Sequence, residues 1–474
     1  MHWTFSKSSS FRIGHQLCPP SITAGNSLRS RAQRNTLGGP CTIAELVSNS
    51  FKPTQEREGS FMSKYVLAFF VIWLCAFDAS ARVVTMVTWN LGWHMDIETT
   101  RRWIEACNRR YAKDPTTGLR TASSAPESKP GWFVDAFSIE GWDTAQLPVC
   151  NVYRERDNDI VFVKPAGYEN RISQLSRYLV TSVPADVLAF QEVNGEQAVK
   201  EILPNNGSDY DFCSVIGYKV QRIVIAWKKS LGEKVSCNIE DALSLPSNPA
   251  DKQPRPGVSL TLKIDDAVVR ILSVHLKSSC VSPFENGKLA GDGKHCPILQ
   301  QQIDPLESWI ERETADGAKV VLLGDFNRNF WHELRDPTPV RTDFGSPAAA
   351  RSPGALSNSL FEEIVDGIPP ASALRMLEEH CDTNEVGTLL CGLSEIRPLD
   401  DAERTLLASE NYLGCRNAVG LDHILVGSGI EELGPAQHVG IKNLGRNVAG
   451  NAADGSDQLL AISDHCPLLA RLKL

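Results

Sequence analysis

A succession of short, apolar, β-branched runs, several ending on an acid or an amide, constrains this chain more than any other feature. Val83-Val84-Thr85-Met86-Val87-Thr88-Trp89 runs into Asn90-Leu91-Gly92, and Val187-Leu188-Ala189-Phe190 into Gln191-Glu192-Val193-Asn194. Val320-Val321-Leu322-Leu323 runs into Gly324-Asp325-Phe326-Asn327, and Ser463-Asp464-His465 precedes a final apolar run at 467–472. Such runs, bounded by Gly, Asn and Asp, read as strands. A carboxylate at the tip of a buried strand is costly unless it is partnered. Several tips converging on one point would make a hard-oxygen cation site with a base beside it.

Further strands read at 223–227, 258–264, 268–274 and 423–426. Helical spacing appears at 171–180, where Ile172, Leu175, Leu179 and Val180 share a side, and a second helix is expected at about 297–313 with a kink at Pro305. Many strands with few helices between them predict two mostly antiparallel sheets facing each other, helices outside. Two stretches break the rhythm, at about 96–169 and 330–418. The first holds the aromatic group Trp132, Phe133, Phe137, Trp142 and Tyr153. They read as insertions in one catalytic domain of residues 82–474, and as the seat of substrate choice.

The start of the chain reads as a targeting segment. Met62-Ser63-Lys64 leads into an apolar run from Tyr65 to Phe77, then Ala79-Ser80-Ala81, which is the secretory pattern. Translation is therefore expected to begin at Met62, with residues 1–61 an upstream extension, 62–81 a signal peptide, and cleavage after Ala81. Three of the 13 cysteines precede that cut, and the remaining ten suit a disulfide set in an exported chain, periplasmic or extracellular. Proximity pairs Cys280 with Cys296 and Cys213 with Cys237. Residues 1–81 carry eight of the 48 Lys/Arg and four of the 57 Asp/Glu, so the remainder sits near −13. That field does not hold nucleic acid by itself. A polyanionic substrate would need a bound cation and local Arg or Lys, for which Arg171, Arg177 and Arg222 are candidates.

Each motif offers a distinct chemistry. Mg²⁺ takes one or two protein carboxylates, with water and substrate phosphate completing its shell, so Glu192 is the first ligand candidate and Asp464 the second. Asn90 could hold a metal-bound water or orient Glu192. Asp325 and Asn327 are two positions apart, a period that puts both on one face if the backbone stays extended. Asp325 can take a proton from water, and Asn327 can donate to a phosphoryl oxygen. His465 titrates near neutrality, and Asp422 could fix its tautomer. His275, ending Ile271-Leu272-Ser273-Val274, is a second imidazole able to face phosphate, with Lys277 two residues on; His423 reads as structural.

The order of these motifs resembles that of the endonuclease/exonuclease/phosphatase superfamily, over residues 83–472 outside the two insertions. The resemblance implies a four-layer α/β sandwich and hydrolysis of phosphate esters with Mg²⁺, Mn²⁺ being the alternative ion. It places Asn90 and Glu192 at the metal end with Asp464 nearby. It gives the attacking water and the phosphate to Asp325 and Asn327, sets Asp422 behind His465, and matches His275 to the phosphate-facing histidine of the deoxyribonuclease branch. Which of Asp325 and His465 is the general base stays open. Leu421-Asp422-His423 departs from the Cys-Asp-Arg of inositol phosphatases, which turns the reading away from that branch. The expectation is a nuclease acting on nucleic acid, with lipid or phosphosugar esters as alternatives, a catalytically silent binding module as the other class, and no stable protein partner.

Overall fold

Alternation decides which face of each strand is buried, and in this chain both faces of the central strands are apolar. Residues Val187–Val193 and Arg222–Lys228 are almost wholly buried. Strands covered on both sides require layers on both sides. The computed structural model describes residues 82–155, 159–216, 219–249, 252–283, 295–335 and 359–474. The expectations for residues 1–61 and for the signal peptide at 62–81 lie outside the described residues. All described residues belong to the compact unit Ala79–Leu474.

Two large sheets form the centre. One has eight strands, in the order Glu379–Asp382, Ala436–Val439, Leu468–Lys473, Val83–His94, Val187–Val193, Arg222–Lys228 and Tyr210–Ser214, with Glu431–Glu432 also paired to Leu468–Lys473. The other has six, in the order Arg375–Met376, Asp422–Val426, Lys319–Asp325, Ala267–His275, Gly257–Ile264 and Glu233–Glu240. Most pairings are antiparallel; Val83–His94 with Val187–Val193, Ala267–His275 with Lys319–Asp325 and Glu379–Asp382 with Ala436–Val439 are parallel.

Three buried clusters fill the spaces between layers. Val187, Ile225, Leu260, Ile271, Leu323 and Ile424 lie between the sheets. Tyr168, Leu175 and Leu179 of helix Pro165–Ser182 cover the outer face of the first sheet, against Leu188, Phe190 and Val224. Leu299, Ile303, Leu306 and Ile310 of helix Cys296–Thr314 cover the second, against Leu272, Leu322 and Leu425. This is the expected mixed α/β sandwich, helix–sheet–sheet–helix, and Pro305 lies inside the second helix.

The described residues of the first insertion are folded. It contains helix Ile97–Asn108, a small sheet of Arg110–Lys113, Arg120–Ala122 and Lys129–Pro130, and the disulfide Cys107–Cys150. Trp132 and Tyr153 pack edge-on against Trp103, whereas Phe133 and Phe137 point to solvent. All ten cysteines after residue 81 are paired. Cys213–Cys237 and Cys280–Cys296 are as sequence proximity suggests, and Cys381–Cys391 and Cys415–Cys466 complete the set with the bridge already named. Five bridges fit an oxidising, exported environment. Among the described residues no helix is long and apolar enough to cross a membrane.

Candidate active site

Strand register assembles the site. In the six-stranded sheet His275 is level with Asp325, and Asp325 with Asp422, so three neighbouring strands present three polar tips in a row. Asn90 is level with Gln191 in the facing sheet. A one-residue slip would turn every one of these side chains to the opposite face. The register also shifts after Phe190, and Glu192 adopts φ +56°. An irregularity of this kind re-aims a side chain out of the ladder, and it is common beside active sites. Gly324 is required at φ +149°, because a Cβ there would stand 2.1 Å from the Val274 carbonyl oxygen.

The contacts run as one chain across the cleft. Asn90 Nδ2 donates to Asp325 Oδ2 at 2.9 Å, while Asn90 Oδ1 accepts from the Gly92 N–H. The Asn327 N–H donates to Asp325 Oδ1 at 2.8 Å. His275 Nε2 lies 3.5 Å from Asp325 Oδ2 and 3.7 Å from Glu192 Oε1. His465 Nδ1 and Asp422 Oδ2 are 2.6 Å apart, and His465 Nε2 is 3.9 Å from Asp325 Oδ2. Asp325, Asp422, His275 and His465 are all under 5% exposed, so these charges interact with little solvent between them.

Burial sets the protonation pattern. It raises Asp325 to about 7, with the His465 charge working against it. Burial would lower His465, but the Asp422 and Asp325 carboxylates overcome it and lift the imidazole to about 10. His275 falls well below its ordinary value through burial and the charges of Arg255, His465 and Lys277, so it is neutral. Burial raises Glu192, with Arg255 opposing and Asp464 reinforcing. A carboxyl poised near 7 beside a stable imidazolium is an acid–base pair with its two members held apart.

The donor set fits a hard divalent cation. Oxygen carriers Asn90, Glu192, Asp325, Asp422 and Asp464 dominate, and Glu192 and Asp464 repel each other closely enough for one to raise the other. Asp422 Oδ1 and His275 Nδ1 are buried with no hydrogen-bond partner among the described residues. Among the described residues, Asp325, Asp422 and His465 form a group with metal-ligand geometry, their ligand atoms lying within 4.8 Å of one another. The 2.6 Å hydrogen bond between the last two makes that group an acid–base constellation first.

The structure gathers Asn90, Glu192, His275, Asp325, Asp422 and His465 directly. Asp464 stands at the rim, bonded to Arg416 and Asn417. The Asn327 amide donates to the Leu276 carbonyl at 3.2 Å, which shapes the turn after Asp325. His423 is structural, bonded to Glu379 and stacked on Phe330. Sequence reading missed Arg255 and Gln221 beside Glu192, and Asn417, which lies 3.2 Å from His465 Nε2. No sequence signal pointed to Asn417, because the Cys415–Cys466 bridge that brings it beside His465 appears only in the structure. The suggestion that Arg171 lines a basic groove is corrected. It is 1% exposed, donates to the carbonyls of Leu91, Ala461 and Ile462, and braces the loops that carry the site.

Paired strand tips, an Asp–His dyad and an oxygen-rich pocket on a four-layer sandwich define a phosphoesterase. The chain belongs to the endonuclease/exonuclease/phosphatase family, whose sequence pattern matches residues 150–465. Similar solved structures include an endonuclease/exonuclease/phosphatase from Bacteroides vulgatus (11% identity, 83% of this chain and 99% of that one, TM-score 0.39). They also include ANGEL2, a 2′,3′-cyclic phosphatase (15%, 83% and 96%, 0.41), and a Bacteroides thetaiotaomicron mannosyl-6-phosphatase (12%, 65% and 92%, 0.36). No curated protein matches the chain. None of these likenesses assigns a substrate.

Proposed function

We propose that this protein is an exported, divalent-metal-dependent phosphodiesterase that cleaves nucleic acid by direct attack of water. The observation that carries the reading is the buried Asp325 carboxyl standing between Asn90, His275 and the Asp422–His465 dyad. Asp325 is the general base. Its pKa is raised toward neutrality by burial, and both oxygens are oriented by donors from Asn90 and Asn327. His465, cationic and fixed by Asp422, turns Nε2–H toward the phosphoryl oxygens and stabilises charge as it develops there. Neutral His275 adds a second imidazole on the same side. Glu192 and Asp464, with Asn90, would hold Mg²⁺ or Mn²⁺, which supplies charge neutralisation at the phosphate.

A second reading, a lipid phosphodiesterase, is favoured by one observation. Phe133 and Phe137 are 58% and 70% exposed, and Phe133 meets Phe162 edge-on at 5.1 Å. The test is a panel of supercoiled plasmid, sphingomyelin vesicles and sugar phosphate monoesters, each with Mg²⁺ and with excess EDTA. Plasmid nicking that needs the cation is expected. Glu192→Ala, Asp325→Ala and His465→Ala should each lower it by at least about 10³-fold while unfolding cooperatively like the parent. Preferential sphingomyelin turnover would transfer the assignment to lipid, and full activity in EDTA would overturn the metal-dependent reading.

A further inference from the structure

The segment Cys415-Arg416-Asn417 closes the second insertion and is laid against the site by several separate contacts. Cys415 is disulfide-bonded to Cys466, the residue after His465. The Asn417 N–H donates to the Asp464 carbonyl at 2.7 Å, and Asn417 bridges alongside His465. Asn417 Nδ2 lies 3.0 Å from Asp464 Oδ2 and 3.2 Å from His465 Nε2. Arg416 Nη2 donates to Asp464 Oδ2 at 2.7 Å, yet the Arg416 side chain is 79% exposed.

An ion pair so open to water contributes at most about 1 kcal/mol. That is little return for a covalent bridge and a backbone bond that fix this arginine at the mouth of the site. The other arginines nearby are committed elsewhere. Arg171 is buried in the loops, Arg222 donates to the carbonyls of Lys219, Asn194 and Ala145, and the Arg255 side chain is 16% exposed beside Glu192. Arg416 keeps most of its planar donor fork in solvent, one residue from the amide that touches the catalytic imidazole. A fork of that shape matches phosphate in two-point contact.

We infer that Arg416 is a specificity-determining residue that takes a second phosphate, next to the one being cleaved. The preferred substrate is then a chain of phosphodiesters and not an isolated ester with neutral flanks. The inference rests on the phosphodiesterase reading above and deepens it. Asn417 and the disulfide position the residue, and Asp464 keeps it in place until substrate arrives.

The p-nitrophenyl ester of thymidine 5′-phosphate, with and without a 3′-phosphate, isolates the second charge. The parent protein should bind the 3′-phosphorylated ester with a KM about tenfold lower, a difference within the range of one charge-assisted contact. Arg416→Ala should erase that discrimination through KM, with kcat on the doubly charged ester changed by less than about threefold, and Arg416→Lys should restore part of it. Inhibition by thymidine 3′,5′-bisphosphate should weaken in parallel, while that by thymidine 5′-phosphate changes little. Discrimination that survives Arg416→Ala, or an equal loss of kcat on both esters, would overturn the inference. If the parent cleaves neither ester, the phosphodiesterase reading fails. Calorimetric binding of the bisphosphate to parent and variant still decides the role of Arg416 in that case.

Discussion

Asp422→Asn tests the acid–base pair with almost no change of volume. The parent imidazole of His465 is held at about 10, against burial, by Asp422 at 2.6 Å and by Asp325 at 3.9 Å. Returning it to its ordinary 6.5 would be worth about 5 kcal/mol, at about 1.4 kcal/mol per pH unit. Asp422 is nearer and Asp325 remains in the variant, so about 2–3 kcal/mol of that should vanish, placing the imidazole near pH 8. In the proposed mechanism His465 acts as a cation, and a cation whose pKa is raised is fully present at low pH and lost as pH rises through that value. The basic limb of kcat/KM should therefore move from about pH 10 to about pH 8. At pH 9.5 the protonated fraction alone lowers the rate by about 20- to 30-fold, while at pH 6.5 only the cost of looser orientation remains. A stopped assay on a chromogenic diester over pH 5.5–10.5, with denaturant unfolding as a control, reads this directly. A basic limb that stays in place, or a loss uniform across pH, would refute the dyad and leave Asp422 a packing residue.

Two further substitutions test the fold beneath the site. Glu307, 8% exposed, is raised to about 8 by burial and by the charges of Asp366, Glu311 and Glu363, so the folded chain keeps a proton that the unfolded chain releases from about 4.5 upward. Stability thus falls as pH rises across that window, and Glu307→Gln should gain up to about 4 kcal/mol at pH 8.5 and less than about 0.5 kcal/mol at pH 4.5 in urea unfolding; a loss at pH 8.5 would remove the argument. Gly324→Ala drives a Cβ to 2.1 Å from the Val274 oxygen and should cost about 3 kcal/mol or more, with a fall in kcat as Asp325 shifts. A Gly324→Ala protein of parental stability and kcat would show that the close approach is not needed.

Much of the framework was readable from alternation alone. The run 83–89 extends to His94, 171–180 lies within helix Pro165–Ser182, and 297–313 nearly coincides with Cys296–Thr314. Apolar strand tips ending on Asn90, Glu192 and Asp325 were visible because short-range pattern dictates strand ends. What joins tips from different sheets is long-range, and pattern carries no such information. Arg171 looks like any helical arginine, yet its guanidinium meets carbonyls some 290 positions away. The first insertion read as a break because strands of two to four residues, such as Lys129–Pro130, leave no periodicity to detect. Its order comes from Trp103, Trp132, Tyr153 and a disulfide.

Charge at the site explains why a chain so acidic can still draw an anion in. Beyond about 8–10 Å, salt screens the body of the protein, so only nearby groups matter to a phosphate at the cleft. Fully ionised, Glu192, Asp325, Asp422 and Asp464 carry four negative charges, and Arg255, Lys277, Arg416 and His465 supply four positive ones. The formal balance is zero, which offers a polyanion no net attraction. Protonating Asp325 would tip it positive but would remove the base. A divalent ion tips it by two charges and leaves Asp325 free to accept a proton. The proposed divalent ion thus has an electrostatic rationale, because it makes the cleft attractive to an anion while Glu192 and Asp325 both stay ionised.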